Sequence, residues 1–399
     1  MLSVGVFVRI PHAKYVRSLI AMRPSARLYF EAVHATLYKK SFLRLLSHLG
    51  VGYLIDPQTY FLYPPIFKLI DKQSVKVLLS RYCLDADMIR GWEFISFLLS
   101  DTDFIQDFTK RVIDFQRFEL YGYQDDLSQI VFDERGRDPE FIVPPYMPFS
   151  IDFIDAPLKI NENLVENAEK IILREGLGLD IINVVAFLDR EILYDTDSMK
   201  KILDSIAQFP SKYVGVLLID INKLELDSQT LKCLLNFVAG IKEEAGKEVL
   251  SFYASPLDKL LSFDHLIISP EGGYGRFIES GGGRFMLRIY SSLLKRELSP
   301  RVYKKYRDIL INFEELWGNV LKDVLDICEE YSTLDIDQRV KLSELVYTNN
   351  LKGKILDAEK SLQEIEQEIT RAIEILQEVE VSRSYGRHLE NYLNALLGR

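Results

Sequence analysis

Short runs of apolar residues recur along the chain, separated by stretches in which apolar residues fall at every third or fourth position. The runs lie at 27–34 (RLYFEAVH), 51–56 (VGYLID), 141–145 (FIVPP), 182–189 (INVVAFLD), 214–220 (VGVLLID), 249–254 (VLSFYA) and 266–269 (LIIS), with 285–289 as a candidate eighth. Several are apolar throughout rather than alternating, the pattern of strands covered on both faces. The spacing predicts helices over 161–175, 197–208 and 227–245, the last opened by Asp227-Ser228 and stopped by Gly246. Strand and helix alternating this often predict parallel βα units. No Gly-rich nucleotide fingerprint follows the first run, so the expected fold is α/β: a closed (β/α)8 TIM-like barrel rather than an open doubly wound sheet.

Two regions depart from the alternation. Residues 61–130 read mostly as helices and form a helical insertion, leaving the barrel to 1–60 and 131–295. Residues 300–399 carry no strand pattern and form a C-terminal helical, coiled-coil-like domain. Within it Ile355, Ala358, Leu362, Ile365, Ile369, Ala372, Leu376 and Val379 step by threes and fours, a heptad seam. A helical hairpin packed on its own chain, a homodimer and a protein partner held through 300–399 all fit that seam.

With 48% hydrophobic and 27% charged residues among 399, the chain can bury a large core, which excludes general disorder. No window reaches the roughly 18–20 uninterrupted apolar residues of a bilayer span. The opening apolar run is broken by Arg9 and does not read as a signal peptide. The expectation is a cytoplasmic protein with no membrane partner. Cys83, Cys233 and Cys328 are far apart and odd in number, so they read as small buried hydrophobes, not a disulfide or zinc framework. Net charge is −10, yet residues 1–50 hold eight basic residues, among them Lys39 and Lys40, against the single acid Glu31. Such a segment is either a phosphate-facing surface or a solvated helix face.

On a barrel, functional groups gather at the C-terminal ends of the strands. Those ends carry Glu31 and His34, Asp56 with Thr59 and Tyr60, Asp189-Arg190-Glu191, Asp220 with Asn222 and Lys223, and Ser255. Carboxylates there can divide acid and base roles, or cap the following helix. Asp56 stands out because Pro57 has no amide hydrogen, while Gln58, Thr59 and Tyr60 can bond to or stack on a planar ligand. The Gly-rich segment 272–283, with Arg276 and Arg284, follows the seventh run, where barrels commonly hold phosphate. The histidines show no metal-ligand spacing, so no metal or other cofactor is expected.

Taken in order, LIDPQTYF (54–61), VFDE (131–134), VVAFLDRE (184–191), YVGVLLIDIN (213–222) and SPLDKLLSFDHLIISPEGGYGRF (255–277) resemble the tRNA-guanine transglycosylase barrels over roughly residues 50–290. That family exchanges a base in a polynucleotide through a covalent Asp–sugar intermediate. The resemblance implies a catalytic-site carboxylate at Asp56, a base-reading acid at Asp133, Asp189 in place of a base-contacting Gln, and Leu217 and Leu218 on the turn that holds the base carbonyl. The position of the covalent nucleophile falls at Ile268. Asp264 opens that strand, and Glu271 is the acid that could replace the nucleophile. The family's zinc cluster has no counterpart, and Val216 and Leu217 stand where it has two glycines.

The expected function is therefore a transglycosylase-like barrel binding or modifying a nucleobase in tRNA or DNA, active or catalytically degenerate. Asp56, Asp189 and Glu271 would be catalytic. Asp133, Thr59, Tyr60, Leu217 and Leu218 would hold the base, and Arg276, Arg284, Lys39 and Lys40 the phosphates. The competing expectations are a non-catalytic scaffold assembling through its tail and a carboxylate-based barrel hydrolase.

Overall fold

A computed structural model describes residues 3–7, 27–38, 52–63, 66, 71–84, 92–117, 139–269, 287–310, 320–329, 333–378 and 385–398. Eight parallel strands form one sheet: β1 (Ser3–Phe7), β2 (Arg27–Glu31), β3 (Tyr53–Asp56), β4 (Phe141–Ile142), β5 (Asp180–Phe187), β6 (Tyr213–Leu218), β7 (Glu248–Ala254) and β8 (His265–Ile268). Their order in space is their order in sequence, with β8 pairing β1. The seam between β3 and β4 is joined by the Glu140 amide donating to the Tyr53 carbonyl (2.8 Å). The ring is a TIM-like barrel, which leaves few strand groups without a ladder partner.

Helices alternate with the strands: α1 (Ala32–Leu37) after β2, α2 (Gln73–Arg81), α3 (Trp92–Ser100) and α4 (Thr102–Gln116) between β3 and β4, α5 (Asp155–Glu175), α6 (Thr196–Gln208) and α7 (Ser228–Glu243). Local chemistry sets their ends. Asp227 accepts from the Thr230 amide (2.8 Å) to start α7, whose Leu231, Leu234, Phe237, Val238 and Ile241 turn to the core at helical spacing. Gly176, at φ 62°, closes α5 in the left-handed conformation that glycine adopts without strain.

The eighth strand is not where the apolar runs placed it. Ser3–Phe7 fills the gap between β2 and β8, and Gly5 gives close passage to Ile267. Ile289–Ser291 (β9) instead pairs antiparallel with Arg296–Leu298 (β10) outside the barrel. The helical insertion consequently follows the third strand. β2 also ends earlier than the run 27–34, because α1 begins at Ala32.

The C-terminal region contains α8 (Pro300–Lys305), α9 (Arg307–Leu310), α10 (Val320–Glu329), α11 (Ile336–Glu359), α12 (Leu362–Glu378) and α13 (Arg387–Leu397). The heptad seam is split at Lys360, between α11 and α12. Ile355, Ala358, Ile365, Ile369, Ala372 and Leu376 are buried within this one chain, Leu362 points outward, and Val379 lies outside the described residues. Buried polar contacts bind the region to the barrel: Lys354 Nζ donates to the Ser269 carbonyl (2.7 Å) and pairs with Glu297. Of the cysteines, Cys83 is exposed and Cys233 and Cys328 are half-buried, all unbridged, which corrects the expectation that they are core residues. Among the described residues no helix is long and apolar enough to cross a membrane.

Gly215 on β6 is where the barrel interior is tightest. A Cβ there would lie 2.3 Å from Phe252 Cε2 and 3.2 Å from Ile182 Cγ2. Gly215→Ala is expected to destabilise the fold by about 1–3 kcal/mol through overpacking. The check is a lower urea midpoint with unchanged slope, partly restored by adding Phe252→Leu.

Candidate functional site

Glu31 and Asp56 end β2 and β3 and are register partners, so two carboxylates stand side by side at the C-terminal end of the ring. Both are almost completely buried. A buried carboxylate must be given donors or lose its charge, and tyrosines supply them. Tyr29 Oη donates to Asp56 Oδ2 (2.8 Å) and Tyr146 Oη to Asp56 Oδ1 (2.7 Å), while the Gln58 amide adds a third bond to Oδ1 (2.9 Å). Pro57 has no proton to give, but the next amide closes the turn. Tyr253 Oη donates to Glu31 Oε1, and His34 Nδ1 lies 3.0 Å from Glu31 Oε2.

These tyrosines reach the acids from across the ring. β2 and β7 are separated by β1 and β8, so Tyr253 and Glu31 can meet only through the interior. The β7–β8 register shifts between Ser251 and Ala254, and Tyr253 has φ 51°, a rare conformation for a bulky side chain. Successive strand residues normally point to opposite faces. Here both Phe252 and Tyr253 come within 5.2 and 6.2 Å of the Tyr29 ring. Gln58 after β3 and Asp220 after β6 also have positive φ, so non-glycine strain concentrates at this end of the barrel. Strain of that kind is typical of functional sites.

A fully buried lysine braces the bulge. Lys223, in the loop after β6, donates to Ser251 Oγ (2.6 Å), the Phe252 carbonyl (2.9 Å) and Asp258 Oδ2 (2.6 Å). Tyr392 on α13 donates to the other Asp258 oxygen (3.2 Å), tying the tail to the same strut. Burial pulls the Lys223 ammonium below the ordinary lysine value, and Asp258 opposes that shift.

Burial pushes the Asp56 carboxyl up from 3.8 to about 6, against the hydrogen bonds that favour its ionised form, with Glu31 adding to the rise. Burial, then the Asp56 charge, holds the Tyr29 and Tyr146 phenols well above 10, so they remain donors. Asp56 can thus exchange a proton near neutral pH, the property of a general acid or base.

Thr59 and Tyr60 sit beside Asp56 and hold its surroundings. Thr59 Oγ1 donates to the Tyr146 carbonyl (2.8 Å) and accepts from the Tyr146 amide (2.7 Å). Tyr60 is fully buried, its hydroxyl accepting from the Gln58 side chain (3.2 Å). Asp189 is apart from this group: it accepts from the Ile151 amide (3.1 Å) and the Ile192 amide (3.2 Å), joining two loops after β5. Leu217 and Leu218 lie in the β6 ladder with their side chains in the core. Ile268 is buried in β8, and Asp264 lies at the opposite end of that strand, bonded to Lys242 (2.7 Å) and the Val249 amide (2.9 Å). Asp133, Glu271, Arg276, Arg284, Lys39 and Lys40 lie outside the described residues.

Sequence reasoning noted Glu31 and His34 as strand-end groups but missed the tyrosine shell and the brace. Tyr29 sits two residues before Glu31 on the same strand face, the one sign that both point inward. Among the described residues no cluster of His, Cys, Asp and Glu could hold a metal ion. Fold and site together define a (β/α)8 barrel with two buried carboxylates in a tyrosine shell at its mouth. No family model, curated protein or solved structure matches the chain.

The raised Asp56 carboxyl has a consequence for stability. Its folded value lies above its unfolded one, so the fold favours the protonated form. The full stability is present below pH 4 and is lost as pH rises towards 6. The shift from 3.8 to about 6 corresponds to about 3 kcal/mol. Denaturation of wild type and Asp56→Asn across pH 4–7 is expected to show this falling component in the wild type alone; parallel profiles contradict it.

Proposed function

We propose that the barrel mouth binds a nucleobase of DNA or RNA in the manner of the transglycosylase-like barrels that the sequence resembles, with Asp56 as the proton-exchanging group and Glu31 beside it. The observation that carries this reading is the Asp56 carboxyl: buried, held by two tyrosine hydroxyls and raised to about 6 at the C-terminal end of a barrel strand. The backbone phosphates would be met by the basic segment containing Lys39 and Lys40 and by Arg276 and Arg284. An extruded base then carries the specificity, and the phosphates carry most of the affinity.

One observation favours a catalytically silent form of the same site. Ile268, a buried aliphatic residue, occupies the position matched to the family's nucleophile. A glycosyl transfer there would need an acid from elsewhere, and Glu271 is the nearest candidate in sequence. Incorporation of labelled free base into RNA separates the two forms: incorporation lost in Glu271→Gln marks an enzyme, and its absence with retained binding marks a binding platform.

Binding itself is measured with fluorescent tRNA and single-stranded DNA. The affinity is expected to fall linearly with salt on logarithmic axes, with a slope set by the number of phosphates contacted. Tyr146→Phe and Asp56→Asn should weaken binding of an intact strand by about tenfold while leaving an abasic strand unaffected. No binding at low salt, or equal affinity for intact and abasic strands, rules the reading out.

A further inference from the structure

At the other end of the barrel, a groove of about 480 Å³ runs between the C-terminal turns of α5 and the loop Pro210–Lys212, floored by the start of β5. Its size falls in the range of small-molecule sites. Its walls are apolar, formed by Ile172, Leu173, Leu179 and Pro210, and Leu173 is 84% exposed.

Two polar atoms on this lining are buried without a hydrogen-bond partner. One is Glu169 Oε1 and the other is Ser211 Oγ, whose residue is only 8% exposed. Unmet buried polar atoms are uncommon in native proteins and mark a missing partner. The Ser211 amide already bonds to the Glu169 carboxylate. The nearby cation, Lys247, is committed elsewhere: its Nζ donates to the Phe209 and Ser211 carbonyls. Lys212, on the rim, pairs with Glu248 (2.7 Å).

The unmet set is therefore a carboxylate oxygen and a hydroxyl at the end of an apolar trough. The groove also lies at the C-terminal, negative pole of the 21-residue helix α5. An anion is disfavoured on both counts, and an apolar ligand would leave Glu169 unpaired. Burial already holds the Glu169 carboxyl above its ordinary value, with Lys247 opposing, as expected where a closer cation is missing.

We propose that this groove is a binding site for an alkylammonium group, its nitrogen donating to Glu169 Oε1 and Ser211 Oγ and its methylene chain lying along Leu173 and Leu179. It is separate from the barrel mouth and independent of any nucleic-acid function.

The test is calorimetric titration of the full chain with n-hexylammonium, with hexanol and hexanoate as controls. Saturable binding by the amine alone is expected, weakened at least about tenfold in Glu169→Gln. Tighter binding of N-acetyl-lysine-N-methylamide than of hexylamine would assign the ammonium to a lysine side chain of another protein. The reverse order would assign it to a free amine, and either order keeps the site. No saturation up to about 10 mM, equal binding of hexanol, or full affinity in Glu169→Gln overturns the proposal. Should Glu169→Gln fail to fold, Leu173→Lys decides in its place. Residue 173 is exposed and one turn along the helix from Glu169, so the new ammonium competes for the same carboxylate and the same tenfold loss is required.

Discussion

Placing a carboxylate inside a protein obliges the surroundings either to solvate it or to protonate it. In this barrel Asp56 and Glu31 are buried side by side, and much of the neighbouring architecture answers that obligation. Tyrosines arrive from β2, from the segment after β4 and from the end of β7. The turn after Asp56 is fixed by Gln58, whose side chain accepts from the Val33 amide (2.9 Å), and by Tyr82 of the insertion, which donates to the Pro57 carbonyl (2.8 Å). Donors from so many elements cannot follow the carboxylate if it moves, so its position is set by the fold as a whole.

Closure of the strand ring makes this possible. Only in a barrel do side chains on β2 and β7 face one another across an interior, and only a kink in β7 brings two consecutive aromatics to the same neighbour. The kink costs backbone strain at Tyr253, which the buried Lys223–Asp258 pair helps to hold. Breaking one half of such a pair leaves a lone charge in the interior, a loss of roughly 3–5 kcal/mol. The pair therefore acts on the mouth without touching it.

The parts of this fold legible in the sequence were those dictated by burial on both faces. The runs that became β5, β6, β7 and β8 had no polar alternation to confuse them, and their helices carried caps such as Asp227. Ser3–Phe7 escaped notice because five residues form too short a pattern to separate from an ordinary apolar opening. Asp56 could be singled out from its place before Pro57. Its partners could not, since Tyr146 lies 90 residues away and Tyr253 bonds to a residue 222 positions earlier. No spacing rule connects groups that only the ring brings together. Asp189 shows the converse: a strand-end acid that is indistinguishable in sequence serves as a loop joint. The heptad seam announced burial correctly but was silent on the covering surface, which is the same chain.

The strut beneath the mouth draws one of its hydroxyls from far along the polypeptide. Tyr392 bonds to Asp258 across 134 intervening positions. During synthesis at roughly 5–20 residues per second, Asp258 waits several seconds for that partner to emerge. The ring can close early, yet the bulged β7 reaches its final bracing only when the last helix docks, so competence at the mouth is acquired late, as a signature that translation has run nearly to its end.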